Sequence, residues 1–368
     1  MNLESSGRGF FDFTGSDFSM CTLKPRMGFS AMAGVVLAAI AILGAGKTQP
    51  TVSAMDTVTI RLGTLAISGS SFHMALVEMG QKWRDASGGT VKLIIYPDGT
   101  QGGEADMVRL MRAGVLSAGM FTVVGLSEID PAVGGLSFLP LTFRSWQEYD
   151  YVLERLGPRL EKRLLDKGFV VLFWGDAGWV RYFSKTPALR PDDFKQFRIF
   201  TWAGNAYQVD LMKSLGYHPV PLETANILPG LRTNLFNAIP IPPNQALLLQ
   251  CYTAAPHMLD LKWSILSGAA IIRKDTWDRI PAEIRSKLRQ AANEAGAKIR
   301  AEDRREDEES IAVMKKKGLV VHSLTPQIEE EWRQLTKIIY PQLRGKVVPE
   351  EIFDEVQRLV AEYRAGET

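Results

Sequence analysis

Residues 175–205, "GDAGWVRYFSKTPALRPDDFKQFRIFTWAGN", contain the pattern on which the fold prediction rests. The stretch begins as an apolar strand that carries one arginine, Arg181, just after a glycine and a tryptophan. It then turns through "RPDD" and returns as a second apolar strand, "FRIFTW", which includes Phe200 and Trp202. Two apolar strands around a proline-containing turn predict part of a buried sheet.

Strands and helices alternate on both sides of this stretch. Upstream, residues 57–66 and 90–100 are rich in β-branched residues, and residues 70–89 between them have the apolar spacing of a helix. Downstream, residues 281–318 form one long helical pattern whose mixed charges, at i,i+4 spacing, indicate a solvated face. The alternation predicts βαβ units, a mainly parallel sheet and an α/β fold.

Length and composition limit the classes of protein to which the chain can belong. At 368 residues it is longer than one compact core usually holds, which predicts two domains. Apolar residues make up 46% and charged residues 23%, and the net charge is +2 with acidic and basic residues interspersed. Because a nucleic-acid surface needs a strong basic excess, we expect no nucleic-acid partner.

The N-terminal residues are typical of an export signal. Basic residues precede an apolar run at 28–46, and Val52 and Ala54 are small residues at the positions that a signal peptidase recognises. We expect residues 1–54 to be a signal peptide and the mature protein to be periplasmic. The run approaches the ~20 residues that span a bilayer, so a membrane anchor is the alternative. The segment before Met20 has no targeting pattern, so an over-long start is a further alternative.

The sequence lacks the common catalytic motifs. It contains no HExxH, GxSxG or CxxC pattern, and its four histidines are far apart along the chain. Cys251 would be the only thiol of the mature chain, so no internal disulfide is expected. We therefore expect a protein without cofactor or metal that is not an enzyme. An exported enzyme whose catalytic groups come together from distant positions is the alternative.

Five segments, distributed along the mature part of the chain, occur in one characteristic order. They are "YPDGTQGGEADMVRLMRAGVLSAGM", "LSFLPLTF", "GWVRYFSKTPALRPDDFKQFRIF", "PVPLETANILPGLRTNLFNAI" and "GAAIIRKDTWDRIPAEIRSKLRQAANEA". In this order they resemble the solute-binding subunit of TRAP transporters (tripartite ATP-independent periplasmic transporters) of the DctP type. The first segment resembles the family's "P-gGtlG-e" element, and the third resembles its "G-R" and "KIR" elements.

The resemblance implies a two-lobed α/β protein with the periplasmic-binding-protein type II fold, crossing strands and a long lobe-spanning helix. It assigns residues 55–178 and 267–305 to lobe I, and residues 179–266 and 306–368, with the C-terminal helices, to lobe II. It also implies a small-molecule ligand in the cleft between the lobes, closure by a hinge motion, and delivery to a membrane permease of small and large subunits.

Two segments of the predicted cleft differ from the family pattern. The family usually binds a ligand carboxylate through an arginine of its "KIR" strand, where this chain has Phe200. It often has a polar pair in the crossing segment, where this chain has Pro240 and Ile241. Both changes argue against a metal-assisted dicarboxylate site and favour a roomier, more apolar pocket.

The predicted ligand contacts follow from the same resemblance. Arg181 matches the arginine of the "G-R" element, which implies contact with an acid group of the ligand; an ion pair with a neighbour such as Asp176 is the alternative. The other side chains expected at the cleft are Phe143, Trp174, Trp179, Phe200, Trp202, Asn205 and Tyr207, with Pro240 and Ile241. We expect an organic acid or a more apolar, lipid-like ligand. The alternatives are a small organic-acid binder that uses Arg181 or Arg198, and an exported ligand sensor.

Overall fold

This computed structural model describes residues 57–204 and 206–366, which contain a nine-stranded sheet covered by helices. The predicted signal peptide and Asn205 lie outside the described residues. The strands are β1 (Val58–Thr64), β2 (Val91–Tyr96), β3 (Ala118–Thr122), β4 (Phe169–Ser184), β5 (Arg198–Trp202), β6 (His218–Leu222), β7 (Ala238–Ile241), β8 (His257–Arg273) and β9 (Val320–His322).

Helices of very different length connect and cover these strands in the described part of the chain. They are α1 (Ser71–Ala86), α2 (Glu104–Arg112), α3 (Val123–Ser127), α4 (Trp146–Asp166), α5 (Ala206–Ser214), α6 (Ile227–Arg232), α7 (Pro243–Leu248), α8 (Lys274–Asp278), α9 (Ala282–Lys316), α10 (Pro326–Leu343) and α11 (Glu350–Gly366). Within the described ranges, no helix combines the length and the apolar composition that a membrane span requires.

Local sequence signals explain where several helices begin. The hydroxyl of Ser70 accepts a hydrogen bond from the backbone N–H of His73 and caps α1, and Ser145 caps α4 in the same way. Such caps satisfy N–H groups that have no partner inside the helix, and they stabilise a helix by about 1 kcal/mol. The helices predicted over residues 70–89 and 281–318 are confirmed as α1 and α9.

The sheet is parallel at its flanks and antiparallel at its centre. Its strand order is β2-β1-β3-β8-β4-β7-β5-β6, with β9 alongside β8. β1 is parallel to β2 and β3, and β5 is parallel to β6 and β7, whereas β8 runs antiparallel to both β3 and β4. The prediction of a mainly parallel sheet is therefore wrong for the centre, where β8 is antiparallel to its neighbours β3 and β4.

β4 and β8 are long enough to belong to both halves of the sheet. They pair from Phe169 with Arg273 to Ser184 with His257, and the pairing shifts register between Asp176 and Trp179. At this shift Gly178 has a φ of 98°, and a Cβ there would lie 3.0 Å from an oxygen of Asp307. The kink therefore needs glycine for both its backbone conformation and its close packing.

The long helix α9 packs on both halves of the molecule. Its 35 residues span about 52 Å at 1.5 Å per residue. Leu288 and Ile299 belong to the core between α1 and the β1–β4 side of the sheet, and Met314 belongs to the core on the other side. The α/β architecture with crossing strands and a lobe-spanning helix is therefore confirmed.

The last helix, α11, packs against α4 rather than beside the second half of the sheet. Val356 shares a core cluster with Tyr149, and Arg364 pairs with the buried carboxylate of Glu148 at 2.7 Å. The sequence prediction grouped this helix with lobe II. The lobe boundaries themselves stay a prediction.

Gly268 of β8 pairs with Thr122 at the end of β3 and packs directly against the β3 backbone. A Cβ at this position would meet the backbone oxygen of Phe121 at 2.3 Å. Because a backbone atom cannot move aside cheaply, Gly268→Ala is expected to lower the free energy of unfolding by about 3 kcal/mol, the upper part of the usual range for overpacking. Urea denaturation measures this change.

Gly175 of β4 provides the matched control for Gly268→Ala. It is the register partner of Gly268, and a Cβ there would meet only Ile299, at an ordinary 3.7 Å. Gly175→Ala is therefore expected to change stability by less than about 1 kcal/mol. Equal losses in the two variants would contradict the steric explanation.

Candidate functional site

The carboxyl ends of β1, β3 and β5 face the crossing strands and surround a cavity that is open to solvent on one side. We call it the cleft cavity. Its walls are the segment after β1 (64–67), the end of β3, the kink of β4, the middle of β8, and helix α7. Ligands of open α/β folds bind at the carboxyl ends of strands, so this is the expected position of a binding site.

A second cavity with an open mouth lies on the other side of Trp202 and Leu266. We call it the aromatic cavity. Tyr182 and Trp263 of the crossing strands, Trp332 of α10 and one face of α5 form its walls. Trp202 and Leu266 line both cavities and so form the partition between them.

The described residues that line the two cavities carry few charges. Glu104 and Asp176 are the only Asp, Glu, Lys, Arg or His side chains at the cleft cavity, and none of these residue types lines the aromatic cavity. Neither lining therefore contributes a cation that could bind a ligand carboxylate. The cavities instead expose mainly aliphatic and aromatic carbon.

Glu104 joins α2 to the corner between β3 and α3. Its carboxylate accepts hydrogen bonds from the N–H and hydroxyl of Thr122 and from the N–H of Gly125, all at 2.7 Å. Burial raises the pKa of this carboxyl in spite of these bonds. Glu104 was not among the predicted site residues, although it matches the "e" of the "P-gGtlG-e" element, which is the sequence signal for it.

Asp176 lies at the back of the cleft cavity and is buried. Its carboxylate pairs with Arg304 of α9 at 2.9 Å, and Arg304 also pairs with Asp150 at 2.6 Å. Burial raises the pKa of Asp176, and the charge of Arg304 opposes this effect. The ion pair ties the kink of β4 to the lobe-spanning helix.

Asp303 lies behind the same wall, one turn from Asp307 on α9. One carboxyl oxygen accepts a hydrogen bond from the side-chain amide of Asn244, and the other has no hydrogen-bond partner among the described residues. Burial raises the pKa of Asp303 well above its ordinary value, and the nearby charges of Asp176 and Asp307 raise it further. The prediction that the charges of this helix lie on a solvated face is wrong for Asp303 and Asp307, which α7 and β4 bury.

Arg181 is buried at the crossing and has three acidic partners in the described structure. Its Nη1 donates to Asp307 at 2.9 Å, and this partner is buried as well. Its Nε and Nη2 donate to Asp260 at 3.0 Å and Glu308 at 3.2 Å, which are more exposed. Asp176, the predicted ion-pair partner, pairs with Arg304 instead. Arg181 lines neither cavity, so its contact with a ligand stays a prediction. A ligand carboxylate would have to compete with these three carboxylates for the guanidinium.

The other predicted contacts fall into two groups. Trp202 and Pro240 line the cavities, and so does Tyr207. Five residues lie in packed cores instead and line neither cavity: Phe143, Trp174, Trp179, Phe200 and Ile241. Large apolar side chains of this kind are usually buried in the core, which is consistent with these positions. A role in binding stays a prediction for all of them.

Several remaining polar groups contribute little to the site. Arg198 is exposed at the start of β5, where its side chain donates to the backbone oxygen of Leu235 at 2.9 Å. Burial raises the pKa of Cys251 to about 12, which leaves the thiol protonated. β8 and β9 bring two distant histidines together, with Nδ1 of His257 3.0 Å from Nε2 of His322. Among residues 57–204 and 206–366, no three His, Cys, Asp or Glu side chains form a group that could hold a metal ion.

Comparison with known families identifies this arrangement. The model of bacterial extracellular solute-binding protein family 7, the DctP family, matches residues 62–346. The chain belongs to this family. The resemblance found in the five segments is thereby confirmed, and the crossing strands around a cleft are those of a solute-binding protein.

Relatives of this family-7 chain include proteins named for the acids that they bind. The 2,3-diketo-L-gulonate-binding periplasmic protein of Escherichia coli is 25% identical over 286 residues, which cover 76% of this chain and 86% of the relative. The C4-dicarboxylate-binding periplasmic protein of Rhodobacter capsulatus is 21% identical over 282 residues, which cover 75% and 82%.

Solved structures of TRAP periplasmic solute-binding proteins share the fold of this family-7 chain. One from Sulfurospirillum deleyianum with bound succinate superimposes with a TM-score of 0.75 at 21% identity, covering 83% of this chain and 100% of that structure. One from Haemophilus influenzae with bound L-gulonate also gives a TM-score of 0.75, at 20% identity and with coverage of 83% and 99%. At these identities the likeness concerns the fold alone.

Proposed function

We propose that this chain is the solute-binding subunit of a TRAP transporter. It captures an organic acid or related ligand with a substantial apolar part in the cleft cavity, and it delivers the ligand to an ion-driven membrane permease of small and large subunits. We further propose that the mature protein is periplasmic, that residues 1–54 direct its export, and that it binds its ligand without chemical turnover.

The composition of the cleft cavity is the observation that carries the proposed ligand class. The relatives named above bind polar acids, yet the described lining of this cavity contains no Lys, Arg or His. At the position of the family's arginine, Phe200 is buried against Phe236 with ring centroids 5.4 Å apart. A small dicarboxylate would bury two charges without a cation at hand, which is unfavourable by several kcal/mol.

The cleft cavity combines apolar side chains with one unpartnered hydroxyl, an arrangement that suits a ligand with one polar end. Phe72, Met120 and Leu248 offer apolar surface. The hydroxyl of Thr224 is buried at the same cavity and has no hydrogen-bond partner among the described residues. We propose that this hydroxyl bonds the polar end of the ligand, because an unpartnered buried hydroxyl gains most from a new partner. Arg181 would reach the ligand only if one of its carboxylates moved away.

A thermal-shift panel with purified protein tests the proposed ligand class. Octanoate and phenylacetate are expected to raise the melting temperature, and succinate at the same concentration is expected to leave it unchanged. Leu248→Trp fills the cleft cavity from an exposed position of α7, and it is expected to weaken octanoate binding at least about tenfold, or 1.4 kcal/mol.

Leu165→Trp is the control for Leu248→Trp. Leu165 is exposed on α4 and lines neither of the two cavities, so the same enlargement there should leave octanoate binding unchanged. Native mass spectrometry of the purified protein identifies any ligand that copurifies. Tight binding of succinate, together with no change in melting temperature on addition of octanoate or phenylacetate, would contradict the proposal.

A further inference from the structure

The aromatic cavity is separate from the cleft cavity and is built differently. Three of its rings, those of Tyr182, Trp263 and Trp332, contact one another with centroids 5.5 to 5.7 Å apart. Aromatic rings in mutual contact keep one another in place, so this wall is rigid. A rigid apolar wall beside open space is the usual form of a small-molecule site.

Helix α5 covers the aromatic cavity with apolar side chains, Leu211 and Met212, that pack only partly buried against the neighbouring cores. None of its described residues is buried, yet Tyr207 and Leu211, one turn apart, both line the cavity. The hydroxyl of Tyr207 donates to the backbone oxygen of Gln342 in α10 at 2.5 Å, which fastens the start of the helix. The apolar face of α5 is therefore directed at open space, and a molecule in that space would complete its packing.

The lining of the aromatic cavity also decides which molecules it can hold. No Asp, Glu, Lys, Arg or His is among its described lining residues. A charged ligand group would lose its hydration there without gaining a counter-ion. Water is also held poorly by an apolar lining, because it needs two or more polar partners. An uncharged molecule with rings or an aliphatic chain fits this lining best.

The partition between the cavities keeps this site distinct from the cleft. Trp202 packs edge-on against the fully buried ring of Phe200 at 5.1 Å, and Leu266 lies in the crossing strand β8. Both side chains are thus held by the sheet rather than by a mobile loop. A molecule in one cavity does not need the other cavity to be occupied.

We propose that the aromatic cavity is a second ligand site, which binds an uncharged aromatic or aliphatic molecule independently of the solute in the cleft. The site is formed by β4, β8, α5 and α10. Of the residues that the family resemblance places at the cleft, it includes Trp202, Tyr207 and Pro240. The proposal does not depend on the solute that the cleft cavity takes.

A matched pair of fluorescent probes tests this proposal on the full protein. N-phenyl-1-naphthylamine is neutral, and 1-anilinonaphthalene-8-sulfonate has the same ring system with a sulfonate added. The neutral probe is expected to bind at least about tenfold more tightly, because the sulfonate would be buried without a cation. Equal affinities, or no binding of the neutral probe, would overturn the proposal.

Two substitutions then locate the bound probe. Leu211→Trp fills the aromatic cavity from partly exposed α5 and is expected to weaken binding of the neutral probe at least about tenfold, whereas Leu248→Trp in the cleft should leave it unchanged. Met212→Trp, on the same helix, replaces Leu211→Trp if that variant is unfolded by circular dichroism. Loss of probe binding in Leu248→Trp alone would assign the probe to the cleft and refute a second site.

The same variants separate this proposal from the proposed function. Octanoate binding should be lost in Leu248→Trp and kept in Leu211→Trp, the reverse of the pattern for the neutral probe. If octanoate binds nowhere while the neutral probe follows the expected pattern, the proposed function fails and the second site stands. If Leu211→Trp has no effect on the probe, the second site fails whatever the result for octanoate.

Discussion

Replacing Arg181 by methionine is expected to lower the free energy of unfolding by about 3–5 kcal/mol at neutral pH. The reason is the carboxylate of Asp307, which is 3% exposed and has Arg181 as its cation at 2.9 Å. Methionine replaces the aliphatic part of the arginine side chain without its charge, so it leaves Asp307 buried without a counter-ion. Asp260 and Glu308 are 45% and 70% exposed, so water replaces the arginine for them.

Urea denaturation of Arg181→Met beside Arg305→Met checks this expectation. Arg305 is exposed on α9, the helix that carries Asp307, and pairs with exposed Glu309 at 3.8 Å. Its loss should therefore change stability by less than about 1 kcal/mol. A loss below about 1 kcal/mol in Arg181→Met as well would mean that the buried pair contributes no more than a surface pair.

The pH dependence of Arg181→Met distinguishes an unpaired charge from simple loss of packing. Burial already raises the pKa of Asp307, and removal of Arg181 removes the charge that opposes this effect. The pKa of Asp307 in the folded variant is then higher still, and its protonated form is stable in the fold. The loss of unfolding free energy in Arg181→Met should therefore be small in acid and should grow as the pH rises through that pKa. A deficit that does not vary with pH would indicate lost packing instead.

Asp303→Asn is expected to change the slope of stability with pH. The pKa of Asp303 is raised in the folded protein by burial and then by the charges of Asp176 and Asp307. Above the unfolded value of about 3.9 the unfolded chain loses the proton that the folded protein keeps. This contribution to stability is present below the unfolded pKa and is lost as the pH rises through the folded pKa. Asparagine does not titrate, so the unfolding free energy of Asp303→Asn should rise relative to that of the natural protein as the pH increases.

Several charged and polar groups around Asp303 also influence how stability depends on pH. On α9 they are Asp307, Glu306 and Arg304; β4 contributes Asp176 and α7 contributes the amide of Asn244. Asp176 and Asp307 also have raised pKa values, so part of the slope should persist in Asp303→Asn. Urea denaturation from about pH 5 to about pH 8 gives the slope for each protein.

Glu309→Gln is the control for Asp303→Asn, because Glu309 is an exposed acid on the same helix. Its removal should leave the slope of the natural protein in place. Parallel pH profiles for Asp303→Asn and the natural protein would mean that the buried acid titrates at its ordinary pKa. Any constant offset between the two profiles reports the fit of the asparagine amide and leaves the slope interpretable.

Local pattern was sufficient to predict most of the elements and the fold class. Helix caps such as Ser70, the glycine stops and the β-rich runs are short-range signals, and the structure has helices and strands there. The first half of β8 was missed, although its burial partly alternates along "HMLDLKW". Its role as a crossing strand depends on pairing with β4, a long-range contact that the local sequence does not contain.

The candidate site was less predictable than the fold, and α9 shows why. Its sequence "AEDRREDEES" has charges at i,i+4 spacing. This pattern does not distinguish a helix face that is exposed to water from one that is buried against other elements. Only the packing of α7 and β4 selects Asp303 and Asp307 for burial. Trp202 and Pro240 were predicted to line the cleft and do line cavities, because they lie near the open end of the sheet. Phe200, two residues before Trp202, is in the core instead.

The position of β8 between β3 and β4 imposes an order on folding. β3 ends at Thr122, but its inner neighbour in the sheet is a strand that finishes only at Arg273. The first three strands therefore cannot complete their sheet when they leave the ribosome, and α9, which covers one of their faces, is made later still. Contacts between residues so distant in sequence slow folding, so the N-terminal half should remain unfolded until the second half has been synthesised.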